Sequence, residues 1–294
     1  MKRIFLATAI ASLSTFGLSA CGGGSSDGVI QNKGSDTLFA VAQAWSENYS
    51  KLHPEVIVAV SGGGSGTGIS AMINGEVDIA NASRAMKPKE IEAAKKNGVD
   101  PKVHTVGVDA LAVYVHKDNP IESITIEQLA DIYGKDGKTT KWSQLGINMG
   151  EGADEIVRIS RMNNSGTYVY FGETVLGKKG DYKLGSMDLH GSKDVVENCE
   201  KTPGAIGYSG LAYATDHVKM VPVSIDGKPA VAPSIETAMN QTYPIARPLF
   251  MYTAGEPTGN VKAYMDWILS PEGQTILKEE GYAPVNPIPE AASK

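Results

Sequence analysis

The sequence predicts an α/β protein with mostly parallel strands and two lobes, and three observations lead there. Short β-branched runs alternate with stretches of helical periodicity, the order that builds a sheet flanked by helices. About 265 residues follow the N-terminal leader and tether, enough for two domains of typical size. Clusters of Ser, Thr and Gly fall where predicted strands run into helices, the end of an α/β sheet at which ligands gather.

The elements follow in order. The mature chain opens with Val29-Ile30-Gln31, and Gly34-Ser35-Asp36-Thr37 follows. Leu38, Val41, Trp45, Tyr49 and Leu52 recur at three- and four-residue intervals and mark a helix that stops before His53-Pro54. Residues 56–60 are a β-branched strand leading into the Gly-rich run 61–68, and 69–73 form a short helix. Residues 77–80 make the next strand, which ends at Asn81-Ala82-Ser83-Arg84. Residues 88–96 are helical, with Glu90, Glu92, Lys95 and Lys96 on a solvated face. The apolar run 110–115 is a buried strand at which the chain is expected to cross to a second lobe. Residues 126–133 are helical, 157–160 form a strand leading to Arg161, and 168–176 are helix-compatible. The return is placed at Tyr243-Pro244-Ile245, and 264–269 and 272–280 close the chain as helices. The expected division is therefore 29–109 for the first part of lobe 1, 110–243 for lobe 2 and 244–294 for the return segment of lobe 1.

Residues 1–20 read as a targeting segment: Lys2 and Arg3 form a basic start, 4–18 a short apolar core broken by Thr and Ser, and Leu18-Ser19-Ala20-Cys21 resembles the lipobox of bacterial lipoproteins. An ordinary secretory signal with an incidental Cys is the alternative. Residues 21–28 form a flexible Gly/Ser tether, with Cys21 as the expected lipidation position and membrane anchor. No other stretch approaches the ~20 apolar residues of a spanning helix. The chain has 27 basic and 33 acidic side chains, and loss of Lys2 and Arg3 with the leader takes its net charge from −6 to −8. Such a balance argues against a nucleic-acid partner, which needs a basic footprint. It also means that any anion site must work through local donors. With Cys21 lipidated, Cys199 has no disulfide partner and reads as a small buried apolar residue.

Three clusters carry the chemistry: Ser35-Asp36-Thr37, Ser65-Gly66-Thr67 and Ser165-Gly166-Thr167. Each places hydroxyls and exposed amides at a predicted helix start, where Ser, Thr and Asp also serve as ordinary caps. Arg161, four residues before Ser165, adds a forked and always-charged donor. Together they suit a bound tetrahedral oxyanion, since each hydrogen bond to a charged group contributes ~1.5–3 kcal/mol, offset by desolvation. The Gly-rich run 61–68 is not a P-loop, because no Gly-Lys-Ser/Thr follows, and it lacks the third glycine of a dinucleotide fingerprint. A Gly-x-Ser-x-Gly nucleophile elbow is absent. His53, His104, His116, His190 and His217 are scattered without metal spacing, and neither a metal nor a cofactor is expected.

The chain resembles the periplasmic phosphate-binding proteins of bacterial phosphate ABC importers, within the type II solute-binding superfamily. The resemblance rests on Gly34-Ser35-Asp36-Thr37, the Gly-Gly-Gly-Ser-Gly-Thr-Gly run at 62–68, the segment 77–84 ending in Ser83-Arg84, and Arg161…Ser165-Gly166-Thr167. Gly204-Ala205-Ile206-Gly207-Tyr208 and the run from Trp267 to Gln274 extend it over nearly all of residues 29–290. It implies a two-lobed periplasmic-binding-protein type II fold, mixed sheets flanked by helices, with a ligand cleft between lobes that close by a hinge. It also implies inorganic phosphate as ligand and the transmembrane subunits of an ABC permease as partners. Carried over by position, Ser35, Asp36 and Thr37 form one wall, Ser65 a second, and Ser165, Gly166 and Thr167 with Arg161 a third. Members of that family place an aspartate where this chain has Arg84, a carboxylate that accepts the proton of hydrogen phosphate and rejects sulfate. Arg84 here either donates to the anion or turns away into an ion pair. Asp36 is the candidate replacement acceptor, its other role being to cap the helix at Leu38. Arg161 has a structural ion pair as its alternative.

The expected function is thus capture of phosphate for import, with sulfate, molybdate or arsenate as the alternative ligands. A phosphate-ester hydrolase using Ser65 or Ser165 is a further alternative, but no general base or metal set accompanies either serine in the sequence. A surface adhesin or a receptor feeding a signalling partner also stays open.

Overall fold

The computed structural model describes residues 28–178, 180–225 and 227–289, so the leader, Cys21 and most of the tether lie outside the described residues. The first half opens with β1 (Val29–Gly34), α1 (Phe39–Leu52), β2 (Ile57–Ser61), α2 (Ser65–Ile73), β3 (Ile79–Ala82) and α3 (Pro88–Lys96). Then β4 (Lys102–His116), β5 (Ile124–Thr125), α4 (Ile126–Tyr133), β6 (Val157–Arg161), α5 (Gly166–Phe171), β7 (Met187–Leu189), α6 (Ser192–Lys201) and β8 (Ala205–Gly210) follow. The remainder is β9 (Val218–Val221), β10 (Val223–Ser224), α7 (Ile235–Met239), β11 (Ala246–Thr253), α8 (Gly259–Ile268) and α9 (Pro271–Glu279).

One mixed sheet runs in the order β2-β1-β3-β11-β4-β8-β6-β7, with β9 also on β4, and β5 pairs with β10 apart from it. The 15-residue β4 joins two halves. Its residues 102–110 pair antiparallel with β11, and residues 111–115 pair antiparallel with β8. Alternation along β4 sends Leu111, Val113 and Val115 to one side and Ala112 and Tyr114 to the other. The first set packs with Leu129, Ile132, Trp142, Phe171 and Ile206, the second with Ile159, Val195, Val196 and Cys199. The β1–β3 half is likewise covered twice. Ile30, Val41, Trp45, Tyr49, Leu249 and Ile268 form one core, and Ile69, Met72, Ala80, Ala82 and Tyr252 the other. Burial on both faces explains why the end of β4 reads as an apolar run rather than as an alternating one. The result is the two-lobed, mixed α/β architecture that the sequence predicts.

Four departures bear on the site. The segment expected as a strand at 77–80 lies two residues later, so Asn81 and Ala82 are strand residues. Helix α2 begins at Ser65 rather than Ile69, which makes Ser65-Gly66-Thr67 its first turn. The helix expected over 168–176 is α5 to Phe171 and then a π-turn over Gly172–Leu176. The buried strand expected at 110–115 is the end of the much longer β4, whose first half carries charged and exposed residues that hid it.

Candidate functional site

The site is assembled where β1, β3 and β6 end. Gly34 closes β1 with φ +144°, and a Cβ there would lie 2.2 Å from the Asn81 carbonyl oxygen, so the tight passage of β1 past β3 requires glycine. The Ser35 amide donates to that same carbonyl at 2.9 Å. Its hydroxyl is buried, at 2% residue exposure, and has no hydrogen-bond partner. Buried hydroxyls without partners are rare enough to require a reason. Asp36 does not cap α1, whose N-cap, Leu38, makes no side-chain bond. Instead Oδ1 accepts the Gly63 amide at 2.9 Å and Oδ2 accepts Arg161 Nη2 at 3.1 Å.

The second and third segments lie directly against each other. The Gly66 amide donates to the Asn164 carbonyl at 2.9 Å, and Asn164 Nδ2 donates to the Gly63 carbonyl at 3.0 Å. Ser65 Oγ accepts the Ser83 amide at 3.0 Å and stands 3.3 Å from Ser83 Oγ. A Cβ on Gly166 would lie 2.3 Å from Ser65 Oγ and 2.6 Å from Ser83 Oγ, so only a glycine amide fits between α5 and these two serines. Ser165 caps α5 by accepting the Thr167 amide at 3.1 Å. Thr167 Oγ1 stands 3.1 Å from Thr37 Oγ1, across 130 residues of sequence. Ser65, Thr167 and Arg161 are each at most 1% exposed, so water is excluded.

Arg161 is held on every side. Nε donates to the carbonyls of Leu189 and His190 at 3.2 and 3.1 Å, Nη1 to Ser192 Oγ at 3.0 Å, and Nη2 to Asp36 and to the His190 carbonyl. Those bonds leave one Nη1 hydrogen uncommitted. Burial lowers its pKa, an effect that Asp36 opposes. The ion pair with Asp36 ties β6 to the start of α1.

Sequence reasoning missed a second buried ion pair beside these groups. Arg247, at the start of β11, donates from Nε and Nη2 to Asp109 Oδ2 at 3.1 and 2.9 Å, and both residues are 1% exposed. Burial raises the Asp109 pKa, and Arg247 opposes the shift. The available signal was an acid directly before the apolar run that ends β4, since charged residues are almost never fully buried unless paired. No spacing rule links Asp109 to an arginine 138 positions later.

Arg84 takes the second of the two roles expected for it and is not brought into the cluster. Its Nη1 and Nη2 donate to the two carboxylate oxygens of Glu90, each at 2.8 Å. Glu90 lies in the first turn of α3 and also accepts the Lys87 amide at 2.7 Å. Burial would raise the Glu90 pKa, but Arg84 and the Lys87 amide outweigh it and hold the carboxyl below its usual value. The fork–fork pair therefore points the cation toward α3.

Chemically, the arrangement offers hydroxyl, amide and guanidinium donors in a dry setting, with each buried cation paired to a carboxylate. Neither Ser65 nor Ser165 is hydrogen-bonded to a His, Asp or Glu, so neither has the partner that activates a nucleophile. Among the described residues no group of three or more His, Cys, Asp or Glu could hold a metal ion.

Comparison with known proteins gives consistent findings. A family model described as a PBP superfamily domain matches residues 20–272. The chain is 35% identical over 271 residues to the phosphate-binding protein PstS of Pseudomonas aeruginosa, covering 88% of this chain and 83% of that one. It is 36% identical over 264 residues to the protein SphX of Synechococcus elongatus, covering 86% and 76% respectively. Among solved structures, it is similar to a phosphate ABC transporter substrate-binding protein from Clostridium perfringens with bound phosphate (TM-score 0.77, 32% identity, 88% of this chain and 100% of that one). An ABC-type phosphate transport receptor from Vibrio cholerae superposes with TM-score 0.69 at 25% identity, covering 86% and 99%.

Proposed function

This chain belongs to the phosphate-binding proteins of the PBP superfamily, and from that premise we propose that it captures inorganic phosphate between its lobes and hands it to an ABC permease for import. The observation that carries the reading is the meeting of three distant segments in one water-excluded cluster, with the Ser35 hydroxyl buried there without a partner. Ser35, Thr37, Ser65, Arg161, Ser165, Gly166 and Thr167 are the proposed donors. Asp36, each of whose oxygens keeps acceptor capacity beside its present bond, is the proposed acceptor for the proton of hydrogen phosphate. Arg84 is left out of the set because Glu90 occupies its guanidinium.

The proposed lobes are 29–109 with 244–294, and 110–243, joined by β4 and by the entry to β11; the change of partner on β4 from β11 to β8 between Ala110 and Leu111 supports that boundary. The protein is proposed to act as a carrier rather than an enzyme, on the extracytoplasmic side, anchored through a lipid on Cys21. Among the described residues no helix is long and apolar enough to cross a membrane.

Isothermal titration of the ligand-free protein with phosphate tests the reading. Saturable binding at one site per chain is expected, with sulfate competing weakly because it has no proton for Asp36. Absence of heat at micromolar protein defeats the proposal, and equal binding of sulfate or molybdate would reassign the anion.

A further inference from the structure

Thr37 and Thr167 are proposed phosphate donors, and Arg247, which holds both, has no part in the donor set. Nη2 of Arg247 donates to Thr37 Oγ1 at 3.1 Å and to Thr167 Oγ1 at 3.0 Å, one threonine from each proposed lobe. Nη1 donates to the Ser83 carbonyl at 3.3 Å, and the guanidinium carbon lies 5.7 Å from the centre of the Tyr170 ring of α5. Asp109 fixes the fork from behind, and its own Oδ1 accepts the Leu211 amide at 3.3 Å. One side chain therefore touches the start of α1, the end of β3, the crossing strand β4 and helix α5.

A guanidinium donates and never accepts, whereas a threonine hydroxyl has one hydrogen and accepts through its lone pairs. A threonine whose oxygen faces Nη2 must turn its single hydrogen elsewhere. The two threonine oxygens are 3.1 Å apart, so without Arg247 each could satisfy the other, one as donor and one as acceptor. The threonine that donates spends its only hydrogen on its neighbour and turns a lone pair toward the anion, which repels it. We infer that Arg247 is a positioning residue: with one Nη2 hydrogen on Asp109, the other is shared between the Thr37 and Thr167 oxygens and makes acceptors of both, so that both hydroxyl hydrogens are delivered to the bound anion from opposite lobes at once. Asp109 neutralises Arg247 and pins its fork, so the contribution is orientation rather than added positive charge. The inference rests on phosphate being the ligand at this cluster.

A mutant cycle separates this role from a merely structural one. Phosphate affinity is measured by titration for wild type, Arg247→Lys, the double variant Thr37→Val/Thr167→Val, and the triple combination. Lysine keeps the charge beside Asp109 but is too short and lacks the fork to reach both hydroxyls. Arg247→Lys is expected to weaken binding roughly 10- to 100-fold in the wild-type background and less than about threefold once both hydroxyls are gone. Equal losses in the two backgrounds, or wild-type affinity in Arg247→Lys, would overturn the inference. Neutron diffraction on the deuterated wild-type protein with phosphate needs no variant and decides the matter if Arg247→Lys does not fold. The deuterium atoms of both threonine hydroxyls should point at phosphate oxygens, and either one pointing at the other threonine would refute the assignment. A wild type that binds no phosphate would instead defeat the functional reading on which this rests.

Discussion

Replacing Gly166 by alanine should uncouple folding from ligand capture. The new methyl would lie 2.3 Å from Ser65 Oγ and 2.6 Å from Ser83 Oγ, distances that no packed Cβ tolerates. Overpacking of this kind costs about 1–3 kcal/mol. If Ser65 rotates away to relieve it, the buried Ser83 amide loses the acceptor it now has at 3.0 Å, a further ~1 kcal/mol or more. The sum is about 2–4 kcal/mol, or roughly 30- to 1000-fold in Kd. Gly166 and Ser65 sit on opposite proposed lobes, so the strain arises only as the lobes approach. Within α5 itself alanine is the better helix former by up to ~1 kcal/mol, so the ligand-free protein should melt within a few degrees of wild type. The assay is a phosphate titration beside a thermal melt, with small-angle scattering on ligand addition to follow closure. Phosphate affinity within threefold of wild type would refute the reasoning, and so would a collapse of the melt with affinity intact.

Four further outcomes follow from particular residues. Asp36→Asn should reduce the preference for phosphate over sulfate by about tenfold or more, read by competition titration, because an amide can donate to a fully ionised anion; an unchanged preference shows that Asp36 is not the acceptor. Arg84→Gln should leave phosphate affinity within about threefold while lowering stability by ~1–3 kcal/mol, since its partner is Glu90 and not the ligand. The Glu90 carboxyl is held below its usual value in the fold, so its contribution is present above the unfolded-state pKa and is lost as pH falls through the folded one. Wild type should therefore lose more stability than Glu90→Gln in urea melts taken from neutral pH down to about pH 3, and parallel curves would contradict the assigned cause. Cys199 is fully buried and its thiol is pushed up to about 12 by burial, so a thiol reagent should label it slowly in the native protein and at once in denaturant; rapid native labelling would place it elsewhere.

Much of the fold was legible because the periodicities were unambiguous. The spacing of Val41, Trp45 and Tyr49 marks a buried helix stripe, and all three side chains are fully or almost fully buried. The helices at Pro88–Lys96 and Ile126–Tyr133 coincide with their expected bounds because proline and a threonine cap set their starts. β4 was legible only at its apolar end, because its first half mixes Lys102, His104 and the exposed Val103 and Thr105 with buried Val106 and Asp109 and shows no apolar run. The candidate walls were legible as hydroxyl-rich helix starts, but their partners were not. Nothing near Arg84 in sequence distinguishes a ligand donor from an ion pair until α3 brings Glu90 back onto it six residues later. The Asp109–Arg247 pair depends on the antiparallel register that sets Arg247 opposite Asp109 on neighbouring strands. Register is a tertiary fact, and local pattern carries no trace of it.

The most direct test is a crystal structure of the protein with phosphate bound, at a resolution that fixes the anion and its contacts. The account predicts phosphate oxygens within hydrogen-bonding distance of the Ser35 hydroxyl, the Ser65 hydroxyl and the Thr167 segment together, with Arg84 still on Glu90. Phosphate bound instead outside the cluster, for example among Lys135, Lys183 and Ser186 on the surface of the second lobe, would contradict it.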